Sequence, residues 1–405
     1  MSAAEPERIG VSRRSLLRGA GLAGIGALLA GCAPRLEHAA PAAPAQPPAP
    51  AAGDTIGSGR VRIALLLPSS APGNGSLVAA GLRHAVELAL KETPTADLTI
   101  LVKDDRGTSE GGRAAAAAAI GAGAELIIGP LFAASVRGAA EVARPAGVPM
   151  LAFSTDATVA ARGAYLFGFL PEGDADRITR FAASRGVQAF AALLPDSGYG
   201  AVFGSALQRA VAASGGQLSA VERYAADAAS LGARVAAMAA LASAGGVGAV
   251  VVPAADDAPL RLGAALAAAP GGRGSVRLLG SGQWDDPRIL AAPALEGGWF
   301  PAPERSGFAA FAARYVAAFG TQPPRPAALA FDATRLAAGL AARYGQRRFA
   351  FETLTNPSGF TGIDGAFRLL PDGLNQRSLA IYEIAGGGVR LIDPAPRSFP
   401  PTTGL

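Results

Sequence analysis

The chain holds one cysteine, two histidines and two lysines in 405 residues, and each scarcity removes a class of function. Cys32 alone excludes an internal disulfide and a cysteine metal site. His38 and His84 are too few for a zinc centre and leave little for a histidine general base. Aromatics make up 6% of the chain and no Lys/Arg run interleaves with them, so nucleic acid is not an expected partner. The net charge of +5 is itself uneven: Arg8, Arg13, Arg14 and Arg18 against Glu5 and Glu7 carry +2 of it at the start. Apolar residues fill half the chain and 53 glycines accompany them, the composition of a globular α/β protein long enough for two cores.

The first 32 residues read as an address. Arg13-Arg14, then Leu16, Leu17 and Arg18, open a short glycine-rich apolar run that ends at Cys32, too short for a comfortable membrane span. The pattern resembles a twin-arginine export signal, and Leu29-Ala30-Gly31-Cys32 resembles the lipobox of bacterial lipoproteins, which makes Cys32 the expected lipid attachment site and the membrane a partner. Ala33 after the cysteine favours the outer over the inner membrane on the usual sorting rule. Residues 33–59 are a Pro/Ala-rich tether that carries His38.

From residue 60, continuously apolar strands alternate with Ala-rich helical stretches. Strands are expected at 61–68, 98–104, 125–130 and 148–154, with helices near 76–92, 109–122 and 133–146. A second series follows at 187–196, 217–224, 247–253 and 275–282, with helices between. Strands apolar on both faces predict parallel sheets covered on both sides by helices. Two further helices, at 306–319 and 325–344, precede two or three antiparallel strands over 365–392.

The ordered pieces IALLLPSS, IIGPLFAAS, PMLAFSTDAT, FGFLPEGDADR, LLPDSGYG, LLGSGQWDDP and FTGIDGAFRLLPDG resemble the type I periplasmic binding proteins of the leucine/isoleucine/valine-binding branch, over nearly the whole chain from 60 to 392. That resemblance implies two α/β lobes joined by three crossings: 60–170 with 300–348, and 171–299 with 349–393, leaving 394–405 as a tail. A narrower likeness, to the lipoprotein activators of penicillin-binding proteins, implies an exported regulator of peptidoglycan synthesis with a penicillin-binding protein as partner. The alternative is the substrate-binding lipoprotein of an ABC transporter, with a permease as partner and an amino acid or other small solute as ligand.

Ligands of parallel sheets sit beyond the carboxyl ends of the strands, and in two facing lobes this selects Ser69, Ser70, Ala133, Ser154, Thr155, Thr158, Tyr199, Gln283, Trp284 and Asp285. The resemblance implies a serine hydroxyl where Ala133 stands and an ammonium-binding acid near Gln283, with Asp285 as a substitute. These departures weaken the case for a free branched-chain amino acid. Plainer roles are available too: helix caps for Ser154 to Thr158, turn packing for Tyr199, a core position for Trp284, and solvated caps for Asp104/Asp105, Asp256/Asp257 and Asp285/Asp286. The fit of GTSEG around Ser109 to a hydrolase elbow fails, because no strand immediately precedes it and no histidine follows; Lys91 and Lys103 are not spaced for a Ser-x-x-Lys nucleophile either. No catalytic residue, metal or cofactor is expected.

Overall fold

Strands that are apolar on both faces need cover on both faces, and the computed structural model provides it twice. It describes residues 55–269, 274 and 276–399, all within the unit Pro47–Leu405. The signal region, Cys32 and the tether up to residue 54 lie outside the described residues, as do residues 400–405 of the tail.

The first sheet is built from β1 (Thr55–Ile56), β2 (Val61–Leu67), β3 (Leu98–Asp104), β4 (Ile127–Ile128), β5 (Met150–Ala152) and β6 (Ala164–Leu166). Their order is β1-β3-β2-β4-β5-β6, parallel apart from the short edge strand β1. Helices α1 (Gly75–Lys91), α2 (Ser109–Gly121) and α3 (Ala133–Ala143) make the crossovers. Side chains of β2 alternate as a pleat requires: Ile63, Leu65 and Leu67 join α1 in one cluster, whereas Ala64 and Leu66 join α2 and α3 in another. Glycine lets α2 and α3 meet closely. A Cβ at Gly138 would lie 1.8 Å from the Ser109 carbonyl oxygen, and one at Gly112 would lie 2.2 Å from that of Ser135. Ser109 is thus the first residue of a packed helix capped by Thr108, whose hydroxyl accepts the Gly111 N–H at 3.0 Å.

The chain then crosses at 167–170 into α4 (Pro171–Ser184) and runs through β7 (Ala189–Pro195), α5 (Gly198–Ala213), β8 (Gln217–Tyr224), α6 (Ala228–Ser243), β9 (Ala249–Val251), α7 (Ala258–Ala268), β10 (Arg277–Leu279), α8 (Pro287–Leu290) and β11 (Trp299–Ala302). It returns as α9 (Arg305–Phe319), α10 (Ala327–Tyr344) and α11 (Phe351–Leu354), forms a small antiparallel sheet from β12 (Phe360–Gly362), β13 (Gly365–Leu369) and β14 (Asn375–Arg377), and ends in β15 (Ala380–Ala385) and β16 (Gly388–Asp393). The second sheet has the order β16-β15-β11-β10-β9-β7-β8, with β15 and β16 antiparallel. Its faces divide in the same way: Ala191 and Leu193 pack with α6 and α7, Phe190, Ala192 and Leu194 with α4 and α5.

One boundary differs from expectation. Residues 349–377 do not join the second lobe: Phe349, Leu354, Phe367 and Leu369 lie in the same cluster as Phe311 of α9, Ala330 and Phe331 of α10, and β2. α10 packs chiefly on α1, and Phe367 and Leu369 of β13 join the cluster that these helices form with β2. The third crossing therefore falls at 378–379, and the strands described from 365 onward are four, β13 and β14 in the small sheet and β15 and β16 in the second.

Candidate functional site

The carboxyl ends of both sets of strands open on two adjoining cavities, of about 660 and 500 Å³, that share Thr155, Phe169 and Arg325. The larger is bordered by both lobes: Asp174, Tyr199, Gln283 and Asp285 from the second, Phe308 and Arg325 from the first, and Glu304 and Arg305 at the return crossing. The smaller belongs to the first lobe and is mostly apolar, with Leu131, Phe132, Phe153 and Leu329 among its walls.

On the first-lobe side, backbone geometry brings the expected loops together and internal bonds engage several of their polar groups. Gly129 adopts φ +88°, and a Cβ there would lie 2.3 Å from the Leu66 carbonyl oxygen, so the turn after β4 needs glycine. That turn delivers Phe132 and Ala133 to the smaller cavity. The buried Ser154 Oγ accepts the Asp156 N–H at 3.1 Å. Thr158 donates its hydroxyl at 2.6 Å and its N–H at 2.9 Å to Asp156 Oδ1, and lines neither cavity. Ser69 and Ser70 also stand outside both cavities; the Ser70 N–H donates to Asp104 Oδ1 at 3.3 Å. Of the expected first-lobe contacts, the structure brings Ala133, Ser154 and Thr155 to the site and leaves out Ser69, Ser70 and Thr158.

On the second-lobe side the order is reversed. Tyr199, Gln283 and Asp285 line the cavity as expected, and Trp284 does not. Its ring is fully buried, its Nε1–H donates to the Val252 carbonyl at 2.9 Å, and a Cβ at Gly280 would lie 2.1 Å from the ring. Trp284 is therefore a core support under the loop that presents Gln283. The Tyr199 hydroxyl lies 3.0 Å from both Ser281 Oγ and the Pro253 carbonyl oxygen, and Ser281 itself donates to Pro253 at 2.7 Å. Burial, then the nearby Asp174 charge, raises the Tyr199 pKa, opposed by the Ser281 bond. Asp285 is ion-paired with Arg305.

The aspartate pairs are not uniformly solvated caps. Asp105 is fully buried and accepts the Ser135 hydroxyl at 3.0 Å, and Asp256 accepts the Tyr224 hydroxyl at 2.6 Å. Asp286 does cap α8, accepting the Arg288 N–H at 2.8 Å. His84 stacks on Phe319 at 4.3 Å and its Nδ1 lies 3.3 Å from the Tyr315 hydroxyl, a packing role away from the cavities.

Sequence reasoning missed Asp174, Phe169, Phe308, Arg305 and Arg325. Asp174 lies in the first turn of α4, half-buried; its Oδ2 accepts the Gly282 N–H at 2.9 Å. Burial pushes its pKa up to about 7 against that one bond. Arg325 donates two bonds to the buried Asp364 at 2.7 and 2.9 Å, and its guanidinium lies over Phe308 at 4.3 Å and Phe169 at 5.1 Å. Behind Phe169, at 4.8 Å, lies the Arg377 guanidinium, which donates to the carbonyls of Phe167 at 2.5 Å and Gly168 at 3.2 Å. Arg377 thereby ties the first crossing to the third. The available signal was FGFLPEGDADR, which spans the first crossing and carries both Phe169 and Asp174.

A family model described as periplasmic binding protein matches residues 60–388. Among solved structures, the chain is similar to a Rhodospirillum rubrum protein assigned to branched-chain amino acid ABC transport, at TM-score 0.72 and 18% identity over 82% of this chain and 99% of that one. It is also similar to a branched-chain amino acid ABC transporter periplasmic ligand-binding protein from Burkholderia xenovorans, at TM-score 0.64 and 15% identity over 83% and 96%. A third is an ABC transporter solute-binding protein from R. palustris in complex with benzoate, at TM-score 0.57 and 17% identity over 84% and 98%. No curated protein matches the chain in sequence. At these identities the structural likenesses establish the fold, and the family model establishes membership: the chain belongs to the periplasmic binding protein family and has its type I, leucine/isoleucine/valine-binding-like fold.

Proposed function

We propose that the protein is the solute-binding component of an ABC transporter, exported, tethered to a membrane through lipidated Cys32, and handing a small solute to a permease. The observation that carries this reading is the cavity of about 660 Å³ bordered by both lobes, into which Asp174, Tyr199 and Gln283 converge. Its size suits a small solute, and apolar walls with a few placed polar groups are the usual make-up of such a site. The transporter roles of the similar structures support the same reading. This reverses the preference drawn from sequence, where the penicillin-binding protein activator came first.

The activator reading keeps one supporting observation: Ala133 and the internally bonded Ser154 leave the first-lobe wall short of polar anchors. The test is thermal unfolding of the mature protein against a library of amino acids, amines, aromatic acids and other small solutes. A true solute at a hundredfold excess over its Kd raises stability by about 2.7 kcal/mol. A library without any shift, together with capture of a penicillin-binding protein by the folded body, would replace the transport reading with the activator reading.

A further inference from the structure

We infer that the cleft selects an organic cation, an amine or guanidinium borne on an apolar body, in preference to a carboxylate or an amino-acid zwitterion, and that Asp174 receives the cationic group. This rests on the solute-binding reading and narrows it.

The charge inventory of the cavity carries the argument. Five charged side chains, of both signs, line it: Asp174, Asp285, Glu304, Arg305 and Arg325. Both arginines have carboxylate partners, Arg305 in Asp285 and Arg325 in the bidentate grip of Asp364. Asp174 and Glu304 have no cationic partner among the described residues. Glu304 Oε1 is engaged by the Ala395 N–H at 3.1 Å, and Asp174 has only the Gly282 N–H. The unbalanced charge in the cavity is therefore negative, and a half-buried carboxylate with one hydrogen bond is stabilised by an N–H cation at close range.

The neighbouring polar groups favour the same chemistry. Ser281 donates to Pro253, so the Tyr199 proton is held by Ser281 or Pro253 and the lone pairs of its oxygen are what it offers a ligand. The side chains of the second-lobe wall nearest Asp174 thus ask the ligand for donors. A carboxylate finds only neutral donors: position 133 has no hydroxyl, the Ser154 oxygen already accepts the Asp156 N–H, and both arginines are neutralised, which leaves the hydroxyl of Thr155, the amide of Gln283 and the N–H groups at the start of α3. The adjoining cavity walled by Leu131, Phe132, Phe153 and Leu329 takes the apolar body.

The test is isothermal titration of the full mature chain with matched trios: isoamylamine, leucine and isovalerate; phenethylamine, phenylalanine and benzoate. The amines are expected to bind at least about tenfold more tightly than their partners, and Asp174→Asn to weaken the amines by a similar factor. A second measurement needs no variant. With Asp174 near 7 and the amine protonated throughout, amine affinity should fall about fivefold from pH 8 to pH 6. The other titratable groups facing the two cavities are Asp156, Tyr199, Asp285, Glu304, Arg305 and Arg325, with Asp332 behind Arg325 also raised to about 7 by burial; because these remain in the variant, the fall assigned to Asp174 should be absent in Asp174→Asn. If an acid or amino acid binds as tightly as its amine, or amine affinity ignores both Asp174 and pH, this inference is overturned while solute binding stands. If nothing in the trios or the wider library binds, the solute-binding reading fails and takes the inference with it.

Discussion

The two walls of the cleft are built from the same strand-end loops and have divided their chemistry. The first-lobe wall engages Ser154 and Thr158 with Asp156 and shows the ligand rings and methyl groups beside the single hydroxyl of Thr155. The second-lobe wall hides its large ring, Trp284, and shows a carboxylate, a phenol and an amide. Each wall rests on a buried support that does not line either cavity: Trp284 under the Gln283 loop, and Asp364 behind Arg325. A binding cleft thus separates what touches the ligand from what holds the touching groups still, and the separation can be tested residue by residue.

The largest effect is expected at the second-lobe support. Trp284→Ala removes a fully buried ring and should cost about 4 kcal/mol in urea unfolding, because the surrounding core collapses only in part. Next comes the first-lobe support. Asp364→Ala leaves Arg325 without its partner and Arg377 with Asp332 as its remaining carboxylate neighbour, and should cost about 3 kcal/mol. In that variant Arg325 is released into the cavity, so affinity for benzoate should rise as stability falls. If Asp364→Ala proves neutral, the first-lobe wall is not held by this pair and the comparison loses one of its terms.

A third effect separates the walls by pH. Asp174 has a folded pKa of about 7, above the ordinary aspartate value, so the native state binds the proton more tightly than the unfolded chain. Its contribution to stability is therefore full below the ordinary aspartate pKa of 3.8 and is lost as pH rises to about 7. Asp174→Asn should match the ligand-free wild type near pH 3 and exceed it at pH 8, the gap opening between those two pKa values. No such crossover is expected for substitutions in the apolar first-lobe wall, such as Phe132→Leu.

The parts of this arrangement that were legible in sequence are those with local causes. Runs such as VRIALLL declare a strand covered on both faces, and Thr108, Ser197 and Asp227 sit as caps where helices begin. Tyr199 and Gln283 follow strand ends and reach the cavity. Asp174 was not legible, because acids in the first turn of a helix are ordinary surface features; only the approach of Gly282, 108 residues away, makes it a site residue. The same holds for Arg325 and Asp364, paired across 39 positions. The placement of 349–377 with the first lobe also depends on which helix face needs cover, a tertiary fact that strand patterning does not contain.

The smallest perturbation addresses the sharpest contrast. Ala133 begins α3 at the wall of the smaller cavity, half-buried, with Phe132 before it at the N-cap and no side-chain cap bond. Ala133→Ser adds one oxygen where solvent or ligand can reach it, so stability should stay within about 0.5 kcal/mol of wild type. The hydroxyl joins the free N–H groups of the first helical turn, which favour an anion. It should therefore draw in a carboxylate that the wild-type wall refuses. The ratio of leucine to isoamylamine affinity is expected to rise about fivefold, the worth of one hydrogen bond of about 1 kcal/mol. An unchanged ratio would mean that the loop after β4 no longer faces the ligand, and that the apolar wall, rather than a missing hydroxyl, excludes the carboxylate.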